Sequence, residues 1–395
     1  MQLIKHIRAS NILSFGPNGL DLPLGSLNIL IGPNGSGKSN FIELFSLLRS
    51  TPRNTDSSDN LQGAIRRGGG VLEWIWKGNP GAEAFVEAIL PNPSGYYPIR
   101  HKLTFYAENQ RFRIADEVVE NESAKPGESQ PYFYYKYQRG RPVVNINKQQ
   151  RELTRETIEP DHSILAQRRD PDTYPELSFV GNTYEKIRLY REWCFGRNTI
   201  LREPQMADLR NDRVEEDFSN LGLYLNRLGK DPRAKRALIL ALRDLYEGLE
   251  GYEVIIEGGT VQVFFSENIF SSTIPATRLS DGSLRYLCLL AILLDPTPPP
   301  LICIEEPELG MHPDMLPKIA DLLMEASERT QIIVTTHSDI LVDAMSDQPE
   351  CVLVCEKHEG QTTIKHLEAA TLKPWLEHYR LGQLWSKGEI GGNRW

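Results

Sequence analysis

Eight consecutive residues, Gly32-Pro33-Asn34-Gly35-Ser36-Gly37-Lys38-Ser39, fit the pattern G-x-x-x-x-G-K-[ST] without a gap. Glycines at this spacing let successive backbone N–H groups turn inward around phosphate oxygens, where side chains would stand in the way. The lysine of the pattern reaches the outer phosphates, the following hydroxyl ligates Mg²⁺, and a helix starting there aims its N-terminus at the same charge. The flanking residues agree with that reading. Leu27-Asn28-Ile29-Leu30-Ile31 is a short apolar run between Gly25 and Gly32, suited to a buried strand, and FIELFSLLRS after Asn40 carries apolar residues at helical spacing.

A second set of polar residues closes apolar runs near the other end of the chain. Leu301-Ile302-Cys303-Ile304 ends in Glu305-Glu306-Pro307. Two carboxylates at the tip of a buried strand are costly unless a cation or a reaction needs them. With a polyphosphate they suit one carboxylate holding Mg²⁺ and one polarising the attacking water, assigned here to Glu305 and Glu306. Gln331–Val334 likewise ends in Thr335-Thr336-His337-Ser338, at the edge where open parallel sheets bind ligands, and His337 is a candidate to hydrogen-bond a terminal phosphate. Leu279-Ser280-Asp281-Gly282-Ser283 precedes the apolar run RYLCLLAILL. Ser280 is suited to cap that helix, and the loop amides and helix dipole to bind an anion. Its distance in sequence from Lys38 suggests that it serves a nucleotide held by another copy of the chain.

The elements that must position these residues divide the chain into four parts. Residues 1–180 are expected to form a first lobe, with residues 51–70 as a polar, Gly-rich loop. Strand-like stretches at Ala84–Leu90, Lys102–Tyr106 and Tyr132–Tyr137 then indicate antiparallel hairpins. Residues 181–255 read as a compact helical insertion built on TYEKIRLYREW, VEEDFSNLGLYLNRL and DPRAKRALILALRDLYEGL, too short for a coiled-coil arm. Residues 256–365 begin with strand signals continuing from 252–256 and 261–265. They then alternate helix and strand, as in a parallel sheet with covering helices, and 366–395 form a tail. The fold class is therefore α/β, with a mixed sheet, an antiparallel β lobe and a helical insertion.

Composition narrows the function classes. With 40% apolar and 25% charged residues the chain is an ordinary globular one, which excludes wholesale disorder. A net charge of −9 argues against a surface coated with nucleic-acid contacts, though not against one basic face. Arg66-Arg67, Lys136/Arg139/Arg141 and Arg168-Arg169 are basic clusters, the first and last placed in loops. Tyr132, Phe133, Tyr134, Tyr135 and Tyr137 interleave with the second, and basic plus aromatic is the composition of a nucleic-acid surface. The competing reading is a solvated face paired with the abundant Asp and Glu. No apolar stretch reaches the ~18 residues that cross a bilayer, and MQLIKHIRAS lacks the pattern of a secretory signal. Five cysteines without a C-x-x-C pair point to a reducing cytoplasm, and the lack of a spanning stretch to no membrane partner. Trp375, Trp385 and Trp395 in the tail are aromatic anchors of the kind enriched at interfaces, or pack on the chain's own surface.

Taken together, GPNGSGKSN, LSDGS, ICIEEPELGMHP and TTHSD resemble the ATP-binding-cassette ATPases of the RecF/SMC type. More closely, the chain resembles the stand-alone RecF-like AAA-family ATPases of bacteria, over most of its length and including LGQLWSKGEIGGNRW. The resemblance implies an ABC-type P-loop NTPase head. Gly32–Ser39 becomes Walker A, Ile304-Glu305-Glu306 the end of Walker B, Ser280 and Gly282 the signature loop, His312 the D-loop position and His337 the switch histidine. Asn40 and the N-terminal Asn11-Ile12-Leu13-Ser14-Phe15 are RecF/SMC-like, and Gln167 in SILAQRRDP takes the Q-loop position beside Mg²⁺. Such ATPases hold two ATP molecules between two copies, each touching Walker A of one and the signature loop of the other. A homodimer on ATP is therefore implied, gating DNA or a partner protein, in genome maintenance or phage defence, with a small nuclease-like partner in trans. The related OLD-family proteins carry a Toprim nuclease domain, for which too little chain follows CVLVCE. Two positions depart from the pattern: Glu305 stands where Asp is usual, and Asp281 where a second glycine is common, so turnover is expected to be slow. The alternatives are an ATP-loaded scaffold with little hydrolysis and, less well matched because KSN replaces a transporter-like KST, a transporter subunit.

Overall fold

A computed structural model of the protein describes residues 2–54, 57–93, 95–138, 140–146, 149–153, 159, 161–245 and 248–392, so Arg139 and Trp395 lie outside it. The chain forms two compact units. One gathers Gln2–Ile187, Glu350–Glu368 and the residues from Gly388 on, and the other gathers Arg188–Pro349 and Ala369–Lys387.

In the first unit, Leu27–Ile31 is buried along its whole length, as its uninterrupted apolar run requires. It pairs in parallel with Val352–His358, Ile29 opposite Val352, and that strand turns back antiparallel into Gln361–His366. Helix Lys38–Ser50 follows and buries Phe41, Ile42, Leu44, Phe45, Leu47 and Leu48. The hairpins read from the sequence are present as one antiparallel sheet. Its strands run, side by side, Leu20–Pro23, His6–Ser10, Ala84–Leu90, Ile99–Glu108, Arg111–Asn121, Phe133–Gln138, Arg141–Ile146 and Gln149–Glu152. A buried carboxylate joins this sheet to the helices beside it. Glu117 Oε1 accepts from Ser163 Oγ at 2.5 Å and lies 3.3 Å from His101 Nε2, while Oε2 accepts from the Ile164 N–H at 2.8 Å. The other nitrogen of His101 is 3.2 Å from the hydroxyl of Tyr184, whose pKa burial raises well above the usual value.

The second unit contains the parallel strands Arg188–Tyr190, Leu301–Glu305 and Gln331–Thr335, in a register that sets Glu305 opposite Thr335. Helices Asp281–Leu293 and Leu316–Ser327 accompany them. A smaller antiparallel sheet of Gln205–Met206, Thr260–Glu267 and Leu249–Glu257 lies with helices Leu221–Leu228 and Pro232–Arg243, the latter capped by Asp231. In the tail, helix Leu381–Ser386 is held by Asp343, whose Oδ1 accepts from Gly382 N at 2.6 Å and Gln383 N at 3.2 Å. Trp385 is buried there within its own unit, whereas Trp375 is exposed.

Two segments differ from the sequence expectation. TYEKIRLYREW is not one helix: Pro175–Glu185 ends at its third residue, and Arg188–Tyr190 pairs with Leu301–Glu305 as a buried strand. Pairing and burial of Leu189 and Tyr190 outweigh a helical periodicity that is only a weak preference. Residues 51–70 contain helix Leu61–Arg67, started by the Asn60 side chain, which accepts from Gly63 N at 2.8 Å. Arg66 and Arg67 thus sit on its last turn, where the dipole favours cations. Among the described residues no helix is long and apolar enough to cross a membrane.

The Glu117 network gives a stability prediction. Glu117→Ala leaves the Ser163 hydroxyl and the Ile164 amide without their acceptor, at ~1–3 kcal/mol per stranded buried donor. A urea melt should show the midpoint lowered by the equivalent of about 2–4 kcal/mol. An unchanged midpoint would show that the buried network contributes nothing.

Candidate functional site

The loop after Leu27–Ile31 is shaped by backbone that only glycine accepts readily. Gly37 has φ 111°, and a Cβ there would lie 2.2 Å from Thr362 Oγ1. Gly32 has φ 148°, and its Cβ would meet the Cys355 carbonyl oxygen at 2.3 Å. The loop is therefore pressed against the strands Val352–His358 and Gln361–His366. Thr362 Oγ1 lies 2.7 Å from the Ser36 carbonyl and 2.7 Å from Ser14 Oγ. Asn34 and Gly35 form the exposed tip, Ser36 is buried with no hydrogen-bond partner for its hydroxyl among the described residues, and Ser39 is exposed. Asn40 is half-buried on the first helical turn. The Lys38 side chain is buried, and its Nζ donates to the Gly32 carbonyl at 2.7 Å and the Pro33 carbonyl at 3.2 Å. Helix Lys38–Ser50 has no side-chain cap and no acidic residue in its first turn. Its N-terminal amides and dipole are left for an external anion, as a phosphate cradle requires.

In the second unit the acidic strand end is equally fixed. Glu305 Oε1 accepts from Arg191 Nε at 2.8 Å, and its carbonyl accepts from Trp193 Nε1 at 2.7 Å. Glu306 is in the left-handed region at φ 48°, unusual for a residue with a Cβ. Its N–H donates to the Thr335 carbonyl at 2.9 Å, so the chain turns sharply there and stays tied to the neighbouring strand. Its carbonyl accepts from Arg285 Nη1 at 3.4 Å. Glu306 Oε1 and His337 Nε2 are 3.5 Å apart, which brings together the two residues proposed for chemistry. The His337 backbone is held by Glu308, whose Oε1 accepts from the His337 N–H and from Thr336 Oγ1, both at 2.7 Å. Arg285 is buried, with its guanidinium carbon 5.0 Å from the ring centroids of both Trp193 and Phe195, and burial lowers its pKa.

The Ser280 loop behaves as a capped helix start. Ser280 Oγ accepts from Ser283 N at 3.2 Å, and a Cβ on Gly282 would lie 2.7 Å from the Gly310 carbonyl oxygen. Arg202 binds the loop at several points: Nη2 donates to Asp281 Oδ1 at 2.5 Å, and Nη1 to the carbonyls of Thr277 and Leu279 at 2.7 and 2.8 Å. With Arg197 and Arg278 it lines an open hollow of about 790 Å³. His312 is exposed, its Nδ1 accepting from Asp314 N at 3.4 Å.

Gln167 is engaged within its own loop. Its amide nitrogen donates to the Glu159 and His162 carbonyls at 3.0 and 2.8 Å, and its oxygen accepts from Glu159 N at 2.8 Å. The basic clusters are also partly satisfied locally. Arg67 bonds Ser58 O at 2.7 Å and Asp59 at 2.8 Å, and Arg169 bonds Glu185 at 2.7 Å. Tyr135 is buried in the sheet. Sequence reading missed Arg191, Trp193, Arg202, Arg285 and Thr362. The first two were hidden by a helical periodicity, and the others by distance along the chain from the groups they hold.

Gly37→Ala should force Thr362 aside and widen the cradle. Titration with a fluorescent nucleoside triphosphate should show binding weakened at least about tenfold, or about 1.4 kcal/mol, together with a lowered melting temperature, because alanine is strained at this φ. Unaltered affinity would mean that the loop's fit against Thr362 is irrelevant to the ligand.

Comparison with known proteins agrees with this geometry. The profile of the family described as AAA domain, putative AbiEii toxin, Type IV TA system matches residues 27–343. No curated protein matches. Among solved structures, an Smc head with an extended coiled coil bound to the C-terminal domain of ScpA, from Pyrococcus furiosus, aligns with a TM-score of 0.58. Identity is 14%, with 95% of this chain and 99% of that one covered. An SmcHead bound to the C-winged helix domain of ScpA aligns with a TM-score of 0.56 at 14% identity, covering 93% and 99%. An Smc head with a coiled coil and joint from Pyrococcus yayanosii gives 0.51 at 13% identity, covering 95% and 99%. At these identities the structural likeness establishes the fold alone, that of an SMC-head P-loop NTPase, while the profile spans most of the chain: the protein belongs to this AAA-domain family.

Proposed function

We propose that the protein binds ATP on the Gly32–Ser39 cradle, hydrolyses it slowly with Glu306 as the residue that orients and deprotonates water, and dimerises on ATP. The observation that carries the hydrolytic reading is the Glu306 carboxylate. It is half-buried, set by a left-handed backbone and a bond to Thr335, and lies 3.5 Å from His337. A water oriented by that carboxylate attacks the γ-phosphorus, the bond to the β-phosphate oxygen breaks, and ADP and phosphate leave. His337 then donates to an oxygen of the transferred group, and Lys38 with the cradle amides holds the β- and γ-phosphates. Ser39 offers an exposed hydroxyl and Glu305 a carboxylate, hard oxygen donors of the kind that Mg²⁺ takes. Those two residues would hold the ion, which supplies charge neutralisation on the phosphate oxygens.

Each chain has one cradle and one Ser280 loop, and the loop's arginine-lined hollow suits an anion brought by a second copy. The proposed readout of closure is a contact with DNA or with a small partner protein. The SMC heads of similar fold are bound to domains of ScpA, which supports a partner protein, and the family's description supports a defence role over genome maintenance. A cytoplasmic setting suits such a task.

The Arg191–Glu305 pair favours a second reading, an ATP-loaded scaffold that barely hydrolyses, because a carboxylate assigned to the metal already has a cationic partner. Phosphate release separates the two. Glu306→Gln should lower release at least about 100-fold while ATP binding persists, since a positioned base contributes ~10²–10⁴-fold. Lys38→Ala should abolish binding itself. Wild-type protein that releases no phosphate, with or without DNA, would select the scaffold. Glu306→Gln saturated with MgATP should sediment as a dimer, and a monomer at high concentration would refute the shared-nucleotide arrangement.

A further inference from the structure

A pocket in the first unit is not used by the nucleotide chemistry. It encloses about 370 Å³, within the ~300–1,000 Å³ typical of small-ligand sites. Tyr97, Tyr132 and Tyr134 wall it, and Tyr96 is fully exposed at its mouth. The walls are preset. Tyr132 and Tyr134 meet edge to face at 5.3 Å, while the Tyr134 hydroxyl donates to Asn121 Oδ1 at 2.7 Å and accepts from Asn92 Nδ2 at 3.3 Å.

Acceptors outnumber donors among the polar groups that remain open. Asn145 Oδ1 is buried and has no hydrogen-bond partner among the described residues. The half-buried Glu176 carboxyl makes no ion pair among the described residues, and burial raises its pKa. The Asp172 carboxylate adds a second negative group. Lys125 is the ammonium among the lining residues. It lies 5.7 Å from the Tyr132 ring centroid and pairs with neither carboxylate among the described residues. A phosphate chain entering this hollow would meet Glu176 and Asp172 beside Tyr132 and Tyr134.

We propose that this pocket binds a guanidinium group. A guanidinium is planar, always charged and rich in in-plane donors. It stacks on tyrosine faces while donating to Glu176 and Asn145, whereas an ammonium offers a point charge and no plane. Two sources share this chemistry, a free small guanidinium compound and an arginine side chain of a partner polypeptide. The site is separate from the cradle and does not rest on the ATPase reading.

Calorimetric titration of the full chain with methylguanidinium chloride and with a capped Gly-Gly-Arg-Gly-Gly peptide tests it. Saturable binding is expected, at least about fivefold weaker for methylammonium and the lysine peptide, in keeping with the added stacking of a guanidinium. Glu176→Gln should weaken binding at least about tenfold, as loss of a charge-assisted pair does, with ATP affinity and melting temperature unchanged. Tyr132→Ala, which keeps every carboxylate, should also weaken it. A peptide that binds at least about tenfold tighter than methylguanidinium assigns the site to a partner protein, and the reverse order to a metabolite; equal affinity assigns it to the group alone. Absence of saturable binding by either probe, equal binding of lysine and arginine peptides, full affinity in Glu176→Gln, or displacement of the probes by a short oligonucleotide at this pocket would each overturn the proposal.

Discussion

The constraint on which the second unit's chemistry depends is the turn at Glu306. Parallel pairing sets Glu305 opposite Thr335, and the next residue leaves the strand with its N–H still bonded to the Thr335 carbonyl. That bond holds Glu306 at φ 48°, a conformation that costs a residue with a Cβ ~1–2 kcal/mol. The strain is sustained because the strands Leu301–Glu305 and Gln331–Thr335 are buried and cannot slip. The same register delivers His337 two residues past Thr335, 3.5 Å from the Glu306 carboxylate. The Glu306 carboxylate is thus positioned by backbone hydrogen bonding rather than by side-chain packing.

The guanidinium groups around this turn act on the backbone as much as on charge. Arg285, half-way into an apolar cluster with Trp193 and Phe195, spends a donor on the Glu306 carbonyl. Trp193 spends its indole N–H on the Glu305 carbonyl, and Arg191 neutralises the Glu305 carboxylate. The segment after Arg188–Tyr190 therefore holds Glu305 directly, and bears on Glu306 only through the stacking of Trp193 and Phe195 on Arg285. Because Glu305 carries an extra methylene relative to aspartate, it can reach Arg191 without moving the strand, and any cation it later holds must compete with that partner.

Much of this was legible before any coordinates. The glycine spacing of 32–39, the apolar runs that end in Glu305-Glu306 and Thr335-Thr336-His337, and the alternation in residues 84–137 each follow from a local rule, and local rules survive folding. Arg191 and Trp193 were not legible, because their segment carries helical spacing and becomes a strand only through its pairing with Leu301–Glu305. Thr362 was hidden for a different reason: its contact with the Ser36 carbonyl joins residues far apart in the chain. Gln167, a polar residue before an expected insertion, is hydrogen-bonded within the turn that it closes.

Asp281 shows how a departure from a family pattern is absorbed. A bare carboxylate would oppose an anion of the kind proposed for this loop, by ~4 kcal/mol for unit charges 4 Å apart at an effective dielectric of 20. Arg202 sits on that carboxylate at 2.5 Å, and Arg197 and Arg278 line the same hollow, so the local balance is positive. Arg202 also binds the carbonyls of Thr277 and Leu279, which fixes the loop that a second glycine would leave loose. Asp281 and Arg202 therefore form one unit: the carboxylate orients the guanidinium, and the guanidinium both cancels the charge and holds the loop. A loop set in this way loses less freedom when an anion arrives, so the glycine-to-aspartate change is compatible with anion binding only while Arg202 is present.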